Sequence, residues 1–416
     1  MPKVTSIHHG RRAVLKAIGL ATAGVAVPPM AFGFGGAAPA AAPATMLAGA
    51  RAAVRVSVLL PSSQFDGASA AASAFSDGFA LGLEAAAAGQ VTAQVHDIGG
   101  GVSRAMAFAR GQAARRDTDV VVAMMGARSA LWMRSDLEAA GIPLMVANAG
   151  ERVVRSDAVS PSFVYSSLEL TRAAYASGRW AAEQGGRRCA LACSHYESGF
   201  DMLPAFRAGF EAAGGTVVLS VVSDGPTDAI DAGAAAHALA RSGADVVAGY
   251  YTGADAREFF ASWASIAGSR SRLVVAGPMV TADEASGVEL TSVASWSPEL
   301  PVAANRAFVA SFTDRFRRAP DQFAMLGHET ARMVRDAAPG GARSLADSLR
   351  RTGFSGARGA MAMDTRTNEL SAPLFLRRIG AGGEESLTGL TPASAVVRLA
   401  DALPKQRGWT TSYMTA

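Results

Sequence analysis

Residues 119–147 read DVVVAMMGARSALWMRSDLEAAGIPLMVA. An apolar run at 119–125 leads into helical spacing over 129–140, and a second apolar run at 142–147 follows the turn Gly141-Ile142-Pro143. Two short runs with no polar alternation, joined through a helix, read as parallel strands covered on both faces. This strand–helix–strand unit decides the fold class as α/β.

The same beat runs outward in both directions. Upstream, 54–60 (VRVSVLL) and 91–97 (VTAQVHD) read as strands, with helices over 75–87 and 102–116. Downstream it restarts after Thr171, with helices at 172–183, 203–213, 230–241 and 254–267. Strands are expected at 189–193, 216–222, 245–251 and 272–276. Two later helices, 302–317 and 323–337, and a final strand pair, 359–364 with 374–378, complete the pattern. A chain of 416 residues exceeds the size at which one core stops growing. The expected architecture is therefore two similar doubly wound lobes joined by a hinge of several crossovers. Residues 53–165 with 299–361 form the first lobe and 166–298 with 362–400 the second, before a tail at 401–416.

The net charge of +4 is concentrated at the start: Lys3, Arg11, Arg12 and Lys16 precede any acidic residue, and without them the chain is neutral. No Lys/Arg stripe remains to neutralise a run of phosphates, which argues against nucleic-acid binding. Cys189 and Cys193, four residues apart on one strand, are too far apart to bridge and read as small core residues. Paired arginines before a short apolar run that ends at Pro28-Pro29 read as an export signal. The segment Gly10-Arg11-Arg12-Ala13-Val14-Leu15-Lys16 resembles a twin-arginine signal. Small-residue cleavage candidates near residues 40 and 44 end a 1–44 leader, and an uncleaved anchor is the alternative. Periplasmic localisation and passage through the twin-arginine export machinery follow as expectations.

The order of elements resembles the type I periplasmic binding proteins, in particular the leucine-binding-protein-like binders of branched-chain amino acids and amides that serve ABC transporters. The resemblance covers nearly all of residues 53–380. It rests on Val56-Ser57-Val58-Leu59-Leu60-Pro61, the Asp97 segment with 118–126, Ala139-Ala140-Gly141-Ile142-Pro143, AFRAGFEAAGG at 205–215 and GADVVAGYY at 243–251. It implies a binding protein without enzymatic activity or cofactor, monomeric, which hands a small organic solute to an ABC permease.

In that family the ligand lies between the lobes at the carboxyl ends of the strands, where open parallel sheets bind. Carried onto this chain, the first-lobe wall falls on Gly126, Ala127, Arg128 and Ser129 and on Asn148, Ala149 and Gly150. Ser129 either caps its helix or touches ligand, and Arg128 either forks a carboxylate or is solvated. The second-lobe wall falls on Tyr196, Ser198 and Phe200 and on Tyr251 and Thr252. The family's Tyr-Gly pair is displaced here, with Ser198-Gly199-Phe200 and Tyr196 in its place. Met279 stands where leucine-type binders hold the ligand ammonium with Glu. Its thioether is a weak acceptor, so Asp201, Asp255 or Glu151 would have to substitute, and a non-amino-acid ligand is favoured. Trp296, near the second crossover, and His328, placed at the start of a first-lobe helix, are either ligand contacts or packing residues. The chain lacks G-x-S-x-G, H-E-x-x-H and G-x-x-x-x-G-K-[ST], which argues against an enzyme. A sensory protein that reports to a membrane receptor would share this fold, and the sequence leaves that alternative open.

Overall fold

The computed structural model describes residues 53–61, 66–84, 90–99, 101–150, 159–224, 230–268, 272–341, 345–351 and 353–390. The leader, the tail and Glu151 lie outside the described residues.

The first lobe begins with β1 (Val54–Leu60), α1 (Asp66–Leu83), β2 (Val91–Asp97), α2 (Val102–Arg115) and β3 (Val120–Met124). The helix expected over 129–140 is broken into α3 (Ala127–Ala130), a 3-10 turn Leu131–Met133 and α4 (Arg134–Ala140). Strands β4 (Leu144–Asn148) and β5 (Phe163–Ser167) follow. The second lobe runs through α5 (Leu170–Glu183), β6 (Arg188–Ser194), α6 (Met202–Ala212), β7 (Thr216–Ser223) and α7 (Ala232–Arg241). It continues with β8 (Val246–Tyr250), α8 (Gly253–Ser265), β9 (Leu273–Ala276) and β10 (Leu290–Ala294). The chain then returns with α9 (Ala303–Phe316), α10 (Gln322–Ala337), α11 (Leu345–Leu349), β11 (Phe354–Gly356), β12 (Gly359–Asp364) and β13 (Glu369–Ser371). It ends in β14 (Phe375–Ile379) and β15 (Glu385–Gly389).

Two mixed sheets result, ordered β11-β12-β13-β5-β4-β3-β1-β2 and β15-β14-β10-β9-β8-β6-β7. Their parallel cores share one plan: the order reverses at β1 in the first sheet and at β6 in the second. Strands β3, β4 and β8 are buried at every residue, as strands covered on both faces must be. Cys189 and Cys193 are free and wholly buried in β6, and burial pushes both thiols up, so they are inert core residues. Among the described residues no helix is long and apolar enough to cross a membrane.

The expected final strand pair divides between the lobes. Strand β12 pairs with β13 in the first sheet, whereas β14 pairs with β10 and β15 in the second. Residues 362–371, which the sequence reading gives to the second lobe, therefore belong to the first sheet. Three crossovers connect the sheets: from β5 to α5, from β10 to α9, and from β13 to β14.

Candidate functional site

In an open parallel sheet the crevice for a ligand forms where the strand order reverses, outside the carboxyl ends of the strands. In the first sheet this point is flanked by the ends of β1 and β3. In the second it is flanked by the ends of β6 and β8.

Strand β3 ends in Met124-Met125-Gly126, and Gly126 is the extended N-cap of α3 with no side-chain cap. Ser129 therefore does not cap; it lies inside α3, 2 % exposed. Arg128 is exposed, and Ala127 is fully buried. At the end of β4, Asn148 is fully buried. Its Oδ1 accepts the Gly150 N–H at 2.9 Å, while its Nδ2 donor is buried without a partner. Such an orphan donor is costly unless something else fills it. Ala149 is buried too, and Gly150 has φ of 91°. A Cβ on Gly150 would stand 2.5 Å from the Glu169 Cα, so only glycine lets the first crossover pass so close.

On the second lobe, Tyr196 is exposed at the end of β6, its ring edge-on to Phe200 with centroids 5.5 Å apart. Phe200 itself is buried, and the half-buried Ser198 donates its hydroxyl to the His195 carbonyl at 2.6 Å. Tyr251 is a core residue: it stacks on Phe259 at 4.7 Å, and its hydroxyl meets Ser223 Oγ at 3.2 Å. Thr252 donates to Glu197 Oε1, and Ser194 donates to Glu197 Oε2. Glu197 thus bridges the ends of β6 and β8 across the reversal point of the second sheet. It is 2 % exposed, and no cation pairs with it among the described residues. Burial pushes its carboxyl up to about 7, and the nearby Asp255 adds to this. The two hydroxyls pull the other way.

Sequence reasoning passed over Glu197 in favour of Asp201, Asp255 and Glu151. The signal that finds it is a lone acid three residues beyond a buried strand's end, at the switch point. Asp201 is 7 % exposed in a left-handed conformation, and Asp255 is half-buried in the first turn of α8, its carboxyl raised by burial and by Asp224.

Three further candidate contacts make packing interactions within the fold. Met279 is half-buried against the main core. Trp296 is buried, edge-on to Phe308, with its Nε1 donating to Asn305 Oδ1 at 2.7 Å. Asn305 in turn donates to the carbonyls of Ser297, Pro298 and Leu300, so this pair fixes the second crossover. His328 does not start its helix but lies midway along α10, its ring 4.6 Å from that of Phe308.

A pocket of about 410 Å³ opens elsewhere, lined by Trp263, Arg272, Leu273, Glu289 and Leu290 among others. It sits at the amino ends of β9 and β10, away from the helix N-termini that converge on the reversal points.

A family model described as "Periplasmic binding protein" matches residues 53–384. An ABC transporter substrate-binding protein from Sphaerobacter thermophilus superposes with a TM-score of 0.70 at 21 % identity, covering 81 % of this chain and 97 % of that one. A solute-binding protein from R. palustris in complex with benzoate gives 0.67 at 20 %, covering 81 % and 96 %. The branched-chain amino acid transporter substrate-binding protein of Streptococcus pneumoniae in complex with isoleucine gives 0.64 at 15 %, covering 81 % and 100 %. No curated protein sequence matches the chain. At these identities the superpositions establish the fold.

Proposed function

The chain belongs to the periplasmic binding protein family, and from that premise we propose that it is the exported binding protein of an ABC importer. On this reading it holds a small carboxylate that carries a hydrogen-bond donor at its far end.

The observation that carries the ligand class is the pairing of a buried donor without a partner on the first sheet with a buried carboxyl at the switch point of the second. Asn148 brings a buried amide donor with no partner at the end of β4, beside the α3 N–H groups and the exposed Arg128. Donors of this kind suit a carboxylate. Glu197 brings a buried acceptor that no cation among the described residues pairs, and the exposed ring of Tyr196 stands beside it. Acceptors of this kind suit an ammonium or a phenolic hydroxyl. An amino acid and a hydroxybenzoate both satisfy the pair. The ligands of similar structures support both, since they include isoleucine, benzoate and 4-hydroxybenzoate. Glu197 also supplies the acceptor that Met279 cannot, which removes the objection to an amino acid. Closure of the lobes excludes water around the solute and presents the closed form to the permease. The twin-arginine-like leader supports export in the folded state.

A thermal-shift screen of the chain against amino acids, benzoates, hydroxybenzoates, amides and polyamines tests this. A ligand at 100 times its dissociation constant adds about 2.7 kcal/mol to the folded state. Stabilisation by carboxylates that bear a second donor, and little by benzoate itself, is the expected result. Stabilisation by polyamines alone would overturn the carboxylate end of the reading, and no response to any compound would overturn the class.

A further inference from the structure

The crossovers meet in a buried set of charges outside the residues assigned to the solute. Glu169, 5 % exposed, is the N-cap of α5 in a left-handed conformation, with φ of 58°. Its Oε1 accepts from Arg172 Nη1, one turn into the same helix. Its Oε2 accepts the Ala372 N–H at 2.9 Å, and Arg172 Nη2 donates to the Ala372 carbonyl at 2.6 Å. The pair thus clasps the N–H and the C=O of one residue in the third crossover and ties it to the first.

Arg358, from the turn between β11 and β12 in the first lobe, approaches from the other side and is wholly buried. Its Nε donates to Glu329 Oε2 at 2.7 Å and its backbone N–H to Glu329 Oε1 at 3.1 Å. Its Nη1 donates to the Ser167 carbonyl at 2.6 Å and stands 3.9 Å from Glu169 Oε2, too far for a hydrogen bond. Its Nη2 is buried without a partner, as is Arg172 Nε. An unfilled guanidinium nitrogen in the interior is costly, and the Glu169 carboxylate lies between two guanidinium groups but hydrogen-bonds only one of them here.

We propose that Glu169 is a two-position switch of the hinge. In the arrangement seen here it holds Arg172 and Ala372; in the alternative it moves to Arg358 and fills the empty Nη2. Glu169 heads α5 at the junction, where the Leu168 and Leu170 N–H groups donate to the Asn148 and Ala149 carbonyls of the first lobe, and Arg358 is fixed to that lobe by Glu329. Arg172 lies one turn further into α5, the first helix of the second lobe, so rotation of α5 about this junction changes the placing of Arg172 against Glu169 and with it whether Glu169 is free for Arg358. Each position leaves the competing arginine one acceptor short. That keeps the two lobe arrangements close in free energy, as a hinge that solute must be able to bias requires.

The test reads the interlobe distance in the solute-free full chain. Asp314→Cys on α9 and Glu211→Cys on α6 place exposed thiols on the two lobes, while the native cysteines are buried and inert. Spin labels there report two distances in double electron–electron resonance. Arg358→Lys, which keeps a cation for Glu329 but loses the fork, should shift the ratio of the two distances at least about threefold toward the present arrangement. Arg172→Lys should shift it by a similar factor in the opposite direction, and the milder Glu169→Gln should narrow the difference between them. Shifts of the same sign, or one unchanging distance in all the proteins, would overturn the proposal. A merely structural role for these residues lowers stability but produces no opposed pair of shifts.

Discussion

Glu197 is held by two hydroxyls and pairs with no cation among the described residues, so burial dominates its ionisation. Its folded value of about 7 lies above the 4.5 of the unfolded chain, so between these values the folded protein binds more protons. The contribution to stability is complete below about pH 4.5 and is lost as pH rises through 7, an effect of no more than about 3 kcal/mol. Glu369, also raised to about 7 by burial, acts in the same direction. His328 opposes them: burial, with help from Arg332 and Arg335, lowers it to about 4, so its contribution is present above pH 6.5 and lost as pH falls. Glu197→Gln should therefore raise the melting temperature at pH 8 more than at pH 5. Thermal melts of both proteins at the two pH values check this, and an identical gain at both would show that the carboxyl titrates normally. The strand ends that carry the proposed first-lobe wall were legible in the sequence, because their apolar runs stop there. Glu197 was not, since only the partners across the β6–β8 junction distinguish it from a surface acid.

The two lobes repeat one device at the level of helix pairs. Helix α1 crosses α10 so closely that a Cβ on Gly78 would stand 1.8 Å from the Ala324 carbonyl oxygen, and one on Gly327 2.1 Å from that of Phe75. Helix α5 crosses α6 in the same way: a Cβ on Gly178 would meet the Phe206 oxygen at 2.1 Å, and one on Gly209 the Tyr175 oxygen at 2.1 Å. The backbones must part to admit even a methyl group. Gly327→Ala and Gly209→Ala should each cost about 1–3 kcal/mol, despite the better helix propensity of Ala. The lobes are separate enough that the double variant should lose the sum to within about 0.5 kcal/mol in urea unfolding. A gain in stability from either change would refute the close crossing. The helices themselves are legible from their 3.6-residue spacing, but a helical glycine reads only as a weak point until its partner is known. Strands β5 (FVYSS) and β10 (LTSVA) escaped for a different reason. They are short and bury hydroxyls such as Ser166, Ser167, Thr291 and Ser292, so neither alternation nor an unbroken apolar run marks them.

At the scale of the whole molecule, the repeated strand–helix beat makes two lobes legible, while the third crossover is not. Nothing in the sequence of β12 (GAMAMD) or β14 (FLRRI) names its sheet, and only pairing partners send one to each. A direct hydrogen bond also joins the lobes. Gln322, at the start of α10 in the first lobe, donates through Nε2 to the Pro278 carbonyl of the second at 2.7 Å. Arg377 Nη1 donates to the same carbonyl at 3.2 Å and Nη2 to that of Val280 at 2.6 Å, which holds the acceptor rigidly in place. The Gln322 bond exists only while the lobes are close, so it favours the closed arrangement by about 1 kcal/mol, or roughly fivefold in population. Apparent affinity scales with the fraction of molecules competent to close. Gln322→Ala should therefore weaken binding of the solute found by thermal shift by up to about fivefold and enlarge the radius of gyration of the solute-free protein. The solute-saturated radius should stay the same. Small-angle scattering with titration calorimetry separates these outcomes: a loss of affinity without any change in the free protein's radius would place Gln322 in the solute site itself rather than on the closing contact.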